Sequence, residues 1–93
     1  MNTEIELLAL IDNAIDKCKL AKNEASKSGK VWLVEDSLSA EAQFNKIREQ
    51  ASSHTLPPSK GGGLGITRSL SEWAPPYLYE AGETVEKYYM ENW

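Results

Sequence analysis

The chain has 93 residues, 41% of them apolar and 26% charged, which makes one small globular domain with a single modest core. Its net charge of -4 works against a general nucleic-acid binder, which needs a basic face to displace counterions from phosphate. The lone cysteine, Cys18, excludes an internal disulfide, and no apolar run reaches the roughly 20 residues that span a bilayer.

Helical patterning begins at once. Thr3 and Glu6 have capping-box spacing. Ile5, Leu8, Ile11, Ile15, Cys18 and Ala25 then recur at helical intervals, widened by Leu7, Ala14 and Ala21. This predicts an amphipathic helix over residues 3–28. Lys17, Lys19, Lys22 and Lys27 gather in its second half, where cations suit the negative end of the helix dipole, and Gly29 follows as a stop. Cys18 on that stripe reads as a small buried apolar residue.

Val31-Trp32-Leu33-Val34 has the composition of a strand, but the chain offers no second strand to pair with it. We therefore read it as the first turn of a second helix over 31–52, with Leu33, Ala40, Phe44, Ile47 and Ala51 on one face and Val34 and Leu38 beside it. Ser37 and Ser39 favour caps and turns, which marks residues 36–39 as a point where this helix can break. A short turn at Gly29 then makes helices one and two an antiparallel hairpin.

Residues 53–66 are polar and rich in proline and glycine, and they read as a loop. From composition, Ser53–Gly63 is expected to be the most mobile internal segment. A short helix over 68–74, capped by Thr67 or Ser69, stops at Pro75-Pro76, and Pro76 suits the first turn of a last helix over 76–92. Leu78, Ala81, Val85 and Tyr88 or Tyr89 form its buried face. Gly82 inside it costs up to ~1 kcal/mol relative to Ala and permits close approach of another helix. The expected fold is all-α: an antiparallel helical hairpin, a glycine-rich crossover, a short helix and a C-terminal helix packed as a small bundle.

Chemistry is sparse. His54 is the only histidine and stands in a polar stretch without metal-ligand company, so no metal site is expected. No nucleophile motif accompanies Cys18 or the serines, so no catalytic residue is assigned and no enzyme or cofactor is expected. The pairs Asp12/Asp16, Glu80/Glu83 and Glu83/Glu86 have the spacing of a solvated helix face. The glycine cluster departs from both phosphate-loop patterns. Lys60 precedes the glycines instead of following them, and Ile66 stands where a dinucleotide motif needs its third glycine. Even so, Lys60, Gly61, Gly62, Gly63, Gly65, Thr67 and Arg68 ahead of a helix form a candidate anion site.

The last third of the chain concentrates aromatic and acidic residues. From Ser69 onward there are five glutamates against Lys87 alone. Rings bring large contact area with few rotors. Trp73, Tyr79, Glu80, Glu83, Glu86, Tyr89 and Trp93 are the candidate protein-binding residues. Tyr79, Glu83 and Glu86 are placed on the helix face opposite Leu78, Ala81 and Val85. The expected function is a cytoplasmic, non-catalytic protein-binding module, such as an inhibitor, an immunity-type antidote or an adaptor. Its expected partner is a basic protein, and a homo-oligomer is compatible with the sequence. The alternative is a regulatory domain that binds a small anion or nucleotide at the glycine loop.

Overall fold

A computed structural model describes residues 3–60 and 62–93. It contains four helices, α1 (Thr3–Lys27), α2 (Val31–Ser52), α3 (Ile66–Leu70) and α4 (Pro76–Asn92), with no strand among the described residues. No helix there is long and apolar enough to cross a membrane. The long axis of 42 Å is close to the ~37 Å that 25 helical residues span, so α1 sets the length of the molecule.

Helices α1 and α2 form the expected antiparallel hairpin. Gly29 takes the left-handed conformation (φ 71°). Around it the Lys30 amide donates to the Ala25 carbonyl at 2.9 Å and the Gly29 amide to Ser26 at 3.3 Å. That is the Schellman pattern, which closes the last carbonyls of α1. Val31–Val34 is helical, as the lack of a partner strand required. α2 runs unbroken through residues 36–39 because the Ser37 hydroxyl turns back to donate to the Leu33 carbonyl at 2.7 Å. Ser37 is thereby satisfied while fully buried.

The core stripe of α1 is centred differently from the sequence expectation. Leu7, Ile11, Ala14, Cys18, Ala21 and Ala25 are buried, whereas Ile5 is 63% exposed. Thr3 is itself helical. The carboxylate of Glu6 accepts from the Tyr88 hydroxyl at 2.5 Å.

α4 packs against α1 in the opposite direction. Tyr77 at its start donates to Glu24, and Tyr88 near its end donates to Glu6. Pro75 (φ -61°, ψ 154°) and Pro76 open the helix, and the Pro75 carbonyl accepts from Leu78 and Tyr79 at 3.0 Å. Leu78, Ala81, Val85 and Tyr89 face the core; of the two candidate tyrosines, Tyr89 is the buried one.

The segment between α2 and α4 forms the fourth leg of the bundle. It opens with a second Schellman closure, in which His54 takes the left-handed position (φ 61°), the Thr55 amide donates to Gln50 at 2.8 Å and the His54 amide to Ala51 at 3.3 Å. The stretch expected to be most mobile is tied down at several points. Leu56 is buried, the Tyr89 hydroxyl donates to the Pro57 carbonyl at 2.6 Å, and the Ser59 hydroxyl donates to the Met90 carbonyl at 3.3 Å. The short helix then starts at Ile66, two residues before its expected start, and ends at Leu70. Ile66 and Leu70, one turn apart, both enter the core. Leu70 lies over Gly82, where a Cβ would come within 2.3 Å of Leu70 Cδ1 and 3.5 Å of Phe44 Cζ. Gly82→Ala should therefore lower stability by about 1–2 kcal/mol despite alanine's ~1 kcal/mol advantage inside a helix, because overpacking outweighs propensity. Thermal melts would read this directly, and a rise in the midpoint would show that Leu70 moves aside without cost.

Candidate functional site

The structure divides the candidate protein-binding residues into three groups. Glu80 and Glu83 are exposed on the outer face of α4, together with Lys87, Met90 and Glu91. Trp73, Tyr79 and Trp93 are half-buried and pack against the core edge. Glu86 and Tyr89, by contrast, belong to the interior, with 9% and 4% exposure. The expectation that Glu86 shares a solvent face with Glu83 is thus corrected. Position 86 falls between the core row and the outer row of α4, and α3 covers it.

What covers Glu86 is the glycine loop itself. Its Oε2 accepts from the Gly65 amide and its Oε1 from the Thr67 amide, both at 2.8 Å. Gly65 sits in the left-handed conformation (φ 78°) as the N-cap residue of α3 and has no side chain to contribute. Glu86 supplies the missing cap from α4, 21 residues away along the chain. Gly63 makes room for it, since a Cβ there would lie 2.2 Å from Glu86 Oε2. Burial pushes the Glu86 carboxyl up. Hydrogen bonds from the Thr67 side chain and amide, and from the Gly65 and Leu64 amides, more than offset this and hold it below the usual glutamate range.

This arrangement bears directly on the candidate anion site. The amides of Gly65 and Thr67 do meet an anion, and it is the protein's own carboxylate. Gly61 lies outside the described residues. Lys60 (φ 47°), Gly62, Gly63 and Arg68 are exposed around the loop.

The remaining chemistry is structural. Cys18 is fully buried, and its thiol is pushed up to about 12 by that burial and, less, by Glu41. It stays protonated and unreactive at neutral pH. His54 Nδ1 lies 3.3 Å from Glu4 Oε2, and Asp12 pairs with Arg48 at 2.6 Å. The tyrosines bound to carboxylates are shifted too. Tyr77, partly buried and bonded to Glu24, and Tyr88, bonded to Glu6 and partly buried, both rise to about 12. Among the described residues no three His, Cys, Asp or Glu side chains gather as a metal site.

What remains available is shape and charge on the outside of α4. An open groove of about 570 Å³ runs between Thr67 and the α4 residues Glu83, Lys87, Met90 and Glu91, with Glu86 at its floor. A second, of about 350 Å³, lies on the other side of the Glu83–Lys87–Glu91 row, against Thr84 and Tyr88. Sequence reasoning identified Glu80 and Glu83 but passed over Met90 and Glu91. Their signal was the continuation of the row Glu80, Glu83, Lys87, Glu91 at spacings of three and four. Comparison with known protein families, with curated proteins and with solved structures gives no match.

Proposed function

We propose that this protein is a non-catalytic protein-binding module, an inhibitor, antidote or adaptor, that meets a basic partner through the outer face of α4. The observation that supports the reading is the row Glu80, Glu83, Glu91. All three carboxylates are exposed; Glu83 and Glu91 line both open grooves, with Lys87 between them in the row and Met90 at the side of one groove as an apolar contact. Two other candidates of this region are engaged internally, Glu86 with the loop amides and Tyr89 with Pro57. Carboxylates on a groove rim govern encounter rate and salt sensitivity, while apolar and aromatic groups supply affinity. A cytoplasmic setting is part of the proposal and is supported by the single buried thiol. The small-anion alternative gains no support from the loop, because Glu86 already fills its amides.

The test is capture from the native host followed by mass spectrometry, comparing the wild type with the combined change Glu80→Lys, Glu83→Lys and Glu91→Lys. The reversal should abolish capture of the wild-type partner and leave stability within about 1 kcal/mol, as for surface substitutions. Retained capture at low salt would mean that the binding face is elsewhere.

A further inference from the structure

The outer face of α2 carries a second apolar stripe that the rest of the described chain leaves in solvent. Val31 is 67% exposed, Trp32 56% and Leu38 47%, and Ala42 is exposed one turn beyond Leu38. At 100° per residue, Val31, Glu35, Leu38, Ala42, Lys46 and Glu49 fall within a sector of about 80°. That sector is centred opposite the row Ala40, Phe44, Ile47 and Ala51 that enters the core. Half of these six are apolar and half charged, so the face offers a partner both contact area and charge.

The charges along this stripe identify that partner. Glu35 and Lys46 lie on the same flank of it, both exposed and neither in an ion pair within the described residues. We propose that α2 pairs with α2 of a second copy of this chain, antiparallel, about a two-fold axis that crosses the outer face at the level between residues 40 and 41. A two-fold antiparallel packing sets each flank against the same flank of the partner. Glu35 then lies level with the partner's Lys46, and Lys46 with the partner's Glu35. Leu38 then comes within one residue, about 1.5 Å along the axis, of the partner's Ala42, large against small, as a close helix crossing requires. Trp32, on the same flank, comes about one turn from the partner's Lys46, within reach of its ammonium. A parallel pair has no such match. It would set Glu35 level with the partner's Glu35, with Lys46, the cation of the stripe, 11 positions away.

One helix pair is at the small end of specific interfaces, so the dimer is weak and reversible, with a dissociation constant on the order of micromolar or above. This association uses α2 alone and does not depend on the partner face of α4, so its failure and the failure of that reading are separate results.

Sedimentation equilibrium of the full chain, from roughly 10 µM to 1 mM, should show the average mass rising from one chain toward two. Leu38→Glu should keep the chain monomeric throughout with an unchanged melting temperature. Glu35→Lys and Lys46→Glu, each alone, should weaken self-association about tenfold, since each sets like charges opposite one another twice. Mixing those two variants should restore association as a heterodimer, because both charge pairs then re-form across the interface. A wild-type chain that stays monomeric at the highest concentration overturns the proposal. So does a dimer that ignores Leu38→Glu, or a mixture that associates no better than its components.

Discussion

Replacing Glu86 with alanine should lower the stability of the fold by about 2–3 kcal/mol. Among the described residues the carboxylate is the side chain that caps the N-terminus of α3, and its loss leaves the Gly65 and Thr67 amides without their acceptor. Each orphaned donor costs about 1–3 kcal/mol when water cannot reach it, and Gly65 lies near enough to the surface to hold the sum at the lower end. In a chain of this size that is about 10–20 °C in the melting midpoint. Glu86→Gln keeps one acceptor but turns an amide donor toward the second amide, so it should cost less at neutral pH. The pH dependence separates charge from shape. The folded-state carboxyl titrates below its unfolded value, so its contribution is complete above the ordinary glutamate range and fades as pH falls through the lower, folded value. Thermal melts should show the gap between wild type and Glu86→Gln narrowing from about pH 5 downward. A gap constant down to pH 3 would show that the side chain acts by shape alone.

Phe44→Ala should be more damaging still, at about 3–5 kcal/mol, out of a total stability for domains of this size of about 5–10 kcal/mol. Phe44 is fully buried in α2, and its ring tip lies 3.5 Å from where a Cβ on Gly82 of α4 would stand, a place also faced by Leu70 and Ile66 of α3. The void cannot close from the α4 side, because Gly82 has no side chain to move in. Denaturant unfolding should show the midpoint collapse, while Phe44→Leu, which conserves most of the volume, should cost under about 1.5 kcal/mol. A loss below 2 kcal/mol for the alanine variant would mean that α3 settles into the gap.

The long helices were legible because their signals are local. Apolar spacing, Gly29 and Pro76 each act within a turn or two of where they stand, and the absence of a second strand settled Val31–Val34. The failures share one cause, which is that a side chain's partner lay far away in sequence. The start of α3 depends on a carboxylate 21 positions downstream, so neither Thr67 nor Ser69 needed to cap it. Glu86 reads as one more exposed acid until α3 is placed over it. Tyr89 reads as a candidate contact residue until Pro57 is placed beneath its hydroxyl. Ile5 fits the helical stripe by spacing, yet α4 shifts the buried sector toward Leu7. On α4 the spacing of Glu80 and Glu83 was enough to mark an outer row, whereas the row's continuation to Glu91 was legible and passed over.

The order in which the helices meet along the chain has a consequence for assembly. The α1–α2 hairpin closes through the short turn at Ser28–Lys30, so its contacts form between near neighbours and carry little loop-closure entropy. The bond that fastens α4 to α1, from Tyr88 to Glu6, spans 82 positions, and α3 touches α4 more than any other helix. α3 and α4 are joined by Glu86 and by the fit of Leu70 over Gly82, so they join and leave the hairpin as one piece. The first excursion from the native state is then expected to be the departure of that piece, baring core residues such as Leu7, Ile11 and Phe44 while the hairpin persists, and native-state hydrogen exchange would test it. Amides of α3 and α4 then exchange with a common free energy, below that of the amides at the centre of α1.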